Sequence, residues 1–160
     1  MDSQAVANVT NEAPDQPSAV DVLNELLALE QRRLAVRLIE SGVFISQLSV
    51  VEGIELRRIA AESRTHCACL VDAIAARDGT PGPRVGDLRS ADLHYQELRH
   101  VWPRLVADHE ALVRRYRAAV DRLSPAPDAA AIIARILARH EADLQTLHHL
   151  SNGAPADSRS

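Results

Sequence analysis

Apolar residues recur at three- and four-residue spacing along four stretches of the chain, and clusters of Gly, Pro and Ser separate them. That period predicts four amphipathic helices. The first spans residues 20–40, with Leu23, Leu26, Leu27, Leu34 and Leu38 as its stripe, and stops at Gly42. The second spans 50–77 on Leu56, Ile59, Cys67, Leu70, Val71 and Ile74, and breaks in the run DGTPGP. The third spans 90–123 on Leu98, Val101, Leu105, Leu112, Tyr116 and Leu123. Pro103 inside it should start a new segment or kink the helix. The fourth spans 128–150 on Ile133, Ile136, Leu137, Leu144, Leu147 and Leu150. Four such helices bury their stripes together most simply as an all-α four-helix bundle. The first-to-second and third-to-fourth connections are short, as antiparallel hairpins require. The connection over 79–89 is long enough to cross part of the bundle. Residues 1–18 and 151–160 are polar and read as tails flanking a bundle over 19–150.

Composition sharpens this picture. With 46% hydrophobic residues but only 2% aromatic ones, the core is built from Leu, Val, Ile and Ala, which suits helices rather than aromatic-rich sheets. Eighteen basic against twenty-two acidic residues supply no strong positive field, so no nucleic-acid partner is expected. No run approaches eighteen apolar residues, which argues against a membrane span. The first residues lack the basic start and apolar core of a secretory signal, so the expected location is the cytoplasm, where the two cysteines stay reduced.

The candidate chemistry lies in polar residues that interrupt the stripes. Glu30 falls between Leu27 and Leu34, and His66 between Ile59 and Leu70, with Glu62 one turn before it. His109 falls between Leu105 and Leu112, beside Glu110. His140 precedes Leu144, with Asp143 three residues on. Each helix thus carries a carboxylate or imidazole near mid-length on or beside its inner face. Such residues bind iron, manganese or zinc, or else form a buried hydrogen-bond network without metal. Cys67 and Cys69 lie about 200° apart around a helix, so they are neither a redox pair nor joint ligands. Cys67 reads as a small core residue and Cys69 as a seam or surface residue.

This arrangement resembles the ferritin-like superfamily, in which two helices each carry an inward Glu and the other two a Glu-x-x-His. The positions that carry the resemblance are Glu30, His66, Glu110 within HEALVRRYRAAV, and His140 with Asp143 within ILARHEADLQTL. More narrowly, VLNELLALEQRR, HEALVRRYRAAVDRL and IIARILARHEADLQTLHHL look like a bacterial ferritin-like bundle family without an assigned function. The resemblance covers residues 20–150 and implies ferritin-like topology, metal ligands among these residues, and iron, oxygen or peroxide as what such a site handles. The chain departs from the family pattern in two places. Glu62 stands four residues before His66, with Ser63 at the three-residue spacing, and the fourth helix has no Glu-x-x-His. These departures favour a mononuclear site, another metal or none over a di-iron centre. The His-x-x-x-His and His-x-x-x-Glu pairs of hemerythrin-like bundles are not supplied by His140-Glu141 or His148-His149.

Two function classes follow. One is a metal-binding bundle using Glu30, Glu62, His66, Glu110 and His140, with His109 and Asp143 as ligands or orienting groups. The other is a non-catalytic bundle acting by self-association or a protein partner. For it, Leu48, Val50, Val51, Ile54, Val101 and Trp102 are surface candidates and a homo-dimer is the simplest assembly.

Overall fold

The computed structural model describes residues 17–83, Leu93 and residues 96–153. Most of the two expected tails, and much of the connection after the second expected helix, lie outside these. The helices are α1 (Ala19–Gln31), α2 (Leu34–Glu40), α3 (Val50–Ala75), α4 (Leu98–Arg122) and α5 (Pro127–Gly153), with a 3-10 turn at Gln47–Ser49 before α3. The chain is all-α, and α1 and α2 together form one rod of a four-rod bundle. Ser18 starts α1 with a capping box: its hydroxyl accepts from the Asp21 N–H, and the Asp21 carboxylate accepts from the Ser18 N–H.

The first expected helix is interrupted. Its break at Arg32–Arg33 accompanies the burial of Arg33, and the ends it creates are satisfied. The Arg32 N–H returns to the Leu29 carbonyl at 3.2 Å, and Asp108 of α4 accepts from the Leu34 N–H at 3.2 Å, capping α2 from outside its own sequence. Gly42 ends α2 as expected; its φ of +71° is a left-handed conformation that glycine adopts without strain.

The third expected helix begins later than residue 90. Gln96 and Glu97 are not helical, because their backbone pairs with the segment before α3. Phe44 N–H donates to the Gln96 carbonyl at 3.0 Å, and Leu98 N–H donates to the Phe44 carbonyl at 2.9 Å. Glu97 then caps α4 by accepting from the Arg99 N–H, and also accepts from the hydroxyls of Ser46 and Ser49. Pro103 neither starts nor ends a helix; α4 runs through it, forfeiting one N–H near its start.

Rods α1–α2 pack on α3, α4 packs on α5, and the two pairs meet along α1–α4 and α3–α5. The Phe44–Glu97 bridge places the starts of α3 and α4 at the same end. These helices therefore run parallel. Two apolar clusters fill the interior. One joins α1 to the last turns of α3 and α4 and the first turns of α5, around Leu23, Leu70, Tyr116 and Ile133. The other joins α2 to the beginnings of α3 and α4 and the end of α5, around Leu38, Leu56, Leu105 and Leu147. Between them lies a buried polar layer containing Glu30, Arg33, Ser63, His66, His109, His140 and Asp143. No helix among the described residues is long and apolar enough to cross a membrane.

Candidate metal centre

Glu30 is the hub of this layer. It occupies the last turn of α1, fully buried, where the helix dipole disfavours negative charge. Four donors compensate. Oε1 accepts from the Tyr116 hydroxyl at 2.8 Å and from His140 Nε2 at 2.7 Å. Oε2 accepts from the Ser63 hydroxyl at 2.7 Å, with the Arg33 guanidinium at 3.4 Å. Burial alone would push this carboxyl up, but the imidazoles of His140 and His66 and the charge of Arg33 outweigh it and hold Glu30 well below the usual carboxylate range.

Arg33 ties the layer together. It donates to Ser63 Oγ at 2.8 Å and to His109 Nδ1 at 2.9 Å. Since arginine can only donate, His109 Nδ1 is an acceptor and its Nε2–H donates to the His140 carbonyl at 2.9 Å. His109 is therefore neutral, and burial together with the Arg33 charge pushes it down to about 3. Burial likewise lowers His140, against the pull of Glu30. Burial and the Glu30 charge push the Tyr116 hydroxyl well up, so it remains a donor.

Among the described residues, two groups of three buried residues bring ligand atoms within 4.8 Å of one another: Glu30, His66 and His140, and His109, His140 and Asp143. In the first, His66 Nδ1 stands 3.5 Å from Glu30 Oε1 and has no hydrogen-bond partner. Ligands about 2.1 Å from one ion lie roughly 3.0–3.4 Å apart in octahedral or tetrahedral geometry. The 2.7 and 3.5 Å separations around Glu30 Oε1 bracket that range. In the second group, His109 is already engaged at both ring nitrogens, whereas His140 Nδ1 and Asp143 Oδ2 are buried without partners.

Comparison with protein-family models, with curated proteins and with solved structures finds no match. The site must therefore be read from its own geometry.

Five of the seven candidate ligands enter this layer: Glu30, His66, His109, His140 and Asp143. Glu62 and Glu110 do not. Glu62 turns to the α3–α5 seam, where Arg139 donates to both its oxygens at 2.6 and 2.9 Å and Arg58 approaches at 2.7 Å. Glu110 lies on the outer side of α4 and pairs with His148 at 3.2 Å. Arg58 also donates to Asp143 Oδ1 at 2.7 Å, so the outer edge of the layer is closed by arginines. Three members lie outside the set of candidate ligands: Arg33, Ser63 and Tyr116. Ser63 and Tyr116 lie in register with the stripes, so spacing alone could have pointed to them. Cys67 and Cys69 are not joined in a disulfide and lie half-buried against the apolar core.

Two surface clefts reach the layer. One, of about 240 Å³, opens on Glu30 between Gln31, Ser63, Arg64 and Cys67. The other, of about 220 Å³, opens on His66 between Cys69, Arg135 and Ile136. A larger cavity, of about 500 Å³, lies at the far end of the bundle, around Ser18 and Pro125, and touches none of these residues.

Proposed function

We propose that this protein is a metal-binding helical bundle that holds a single divalent transition-metal ion through Glu30, His66 and His140. The observation that carries the reading is the orphaned, buried His66 Nδ1 beside a carboxylate and a second imidazole, on three different helices. Two imidazoles and one carboxylate suit iron(II), manganese or zinc, with coordination positions left over. A ferrous ion so held would supply reactivity toward oxygen or peroxide.

The chain's own residues account for the rest. Tyr116 and Ser63 orient the Glu30 carboxylate. To bind through Nε2, His140 would carry its proton on Nδ1, a buried atom that has no partner in the network. Arg33 argues for one ion rather than two, because its charge lies against Glu30 Oε2 and its guanidinium occupies His109. The parallel run of α3 and α4 supports a ferritin-like arrangement of the bundle.

A second reading is favoured by the four protein donors already on Glu30: a metal-free polar network that specifies the packing of a partner-binding bundle. Cobalt(II) titration followed by d–d absorption separates the two. The metal reading expects saturation in wild type and in Glu62→Gln, with loss of the signal in His66→Ala. Absence of any cobalt spectrum in folded wild-type protein would favour the network.

A further inference from the structure

His66 reaches from the buried layer to the surface. Only 7% of it is exposed, and its Nδ1 faces inward, 3.5 Å from Glu30 Oε1. The opposite ring nitrogen, Nε2, also has no partner among the described residues, but unlike Nδ1 it is not buried. His66 lines the cleft of about 220 Å³ between α3 and α5, together with Cys69, Ile132, Arg135 and Ile136, so this edge of the ring opens there. When Nδ1 serves as a ligand its lone pair is committed. The ring proton then sits on Nε2, as a donor aimed into the cleft.

A metal-bound imidazole almost always donates its other N–H to a carboxylate, a carbonyl or water, which fixes the ring and raises its basicity. The chain withholds a carboxylate here. Glu62, one turn earlier on α3, is taken up by Arg139 and Arg58 at the seam. None of the residues lining the cleft is acidic. Arg135 lines it instead, exposed and without a hydrogen-bond or ion-pair partner among the described residues. An imidazole N–H on an otherwise buried side chain and an unpaired guanidinium thus share one recess. Water satisfies the N–H but leaves the cation unpaired, whereas an oxyanion satisfies both through charge-assisted hydrogen bonds.

We propose that this cleft is an oxyanion site, in which a small anion from solution, of the sulfate, phosphate or carboxylate class, bridges His66 Nε2–H and Arg135. Its consequence rests on the metal reading. The bound anion holds the His66 tautomer that presents Nδ1 to the ion, so anion and metal tighten each other's binding by the same factor.

The test begins with full-length, chelator-treated protein, so its first arm is independent of metal. Sulfate is titrated against chloride at constant ionic strength while the His66 ring resonances are followed by NMR. The expected result is a saturable shift in wild type and in Arg114→Gln, an exposed position on α4, and its loss in Arg135→Gln. No shift, a shift that never saturates, or an equal shift in Arg135→Gln overturns the proposal. Cobalt(II) affinity is then measured in chloride and in saturating sulfate. Sulfate should tighten it about tenfold in wild type, the lower end of what an orienting partner contributes to metal affinity, but not in Arg135→Gln. A cobalt affinity indifferent to bound sulfate overturns the linkage between the two sites. The two readings fail separately. Saturable sulfate uptake without any cobalt binding supports the anion site and contradicts the metal centre, and cobalt binding without a saturable sulfate response does the reverse.

Discussion

Arg33 is the residue on which the buried layer turns. It is almost fully buried, and its charge lies against the Glu30 carboxylate. A buried pair contributes little net stability against an apolar replacement of both partners, but removing one partner leaves an uncompensated charge. Arg33→Ala should therefore destabilise the fold by about 3–5 kcal/mol in urea denaturation, and Glu30→Gln/Arg33→Met should recover much of the loss. His109 makes a separate prediction. Its folded-state pKa of about 3 lies below its ordinary 6.5, so protonation favours the unfolded chain. The stability it contributes is complete above about pH 6.5 and is lost as the pH falls toward 3, at about 1.4 kcal/mol per unit. Chelator-treated protein should show this slope in stability against pH, and His109→Gln should flatten it. These roles were only partly legible. Glu30, His66, His109 and His140 stand out because polar residues interrupt otherwise apolar stripes. Arg33 stands three residues after Glu30, at the spacing of an ion pair, but no interruption of the stripe marks it as buried, and only the helix break brings it inside.

At the scale of the elements, four rods and their stripes follow from the apolar period alone, because α3, α4 and α5 are long and each buries one face. The ends are set by contacts between distant parts of the chain, and these explain what the period does not give. The start of α2 is capped by Asp108, more than seventy residues away, and the start of α4 by a bridge to Phe44. Asp108→Ala should cost about 1 kcal/mol, as for other caps, and raise amide exchange at Leu34, whereas Asp108→Asn keeps an acceptor and should cost less. Equal exchange in the two variants would show that the cap is not what holds α2. Glu62 illustrates the same limit. Its position one turn before His66 suggested the core, but Arg58 and Arg139 at the seam hold it outside. Burial and these two arginines act on its pKa in opposite directions, and the arginines prevail, so it is lowered.

The whole molecule joins two apolar cores through one polar layer, and the metal reading concerns what that layer is for. A bound ion would link helices α1, α3 and α5 at mid-height, so removing it should lower the melting temperature, whereas a network satisfied by protein donors alone is indifferent to chelation. Metal content decides between them most directly. Tag-free protein expressed with iron, manganese and zinc available should carry close to one ion per chain, and Glu30→Gln/His66→Ala should carry none while remaining helical. Folded wild-type protein without metal under every loading condition, or a metal content that the double substitution leaves unchanged, would contradict the site proposed at Glu30, His66 and His140.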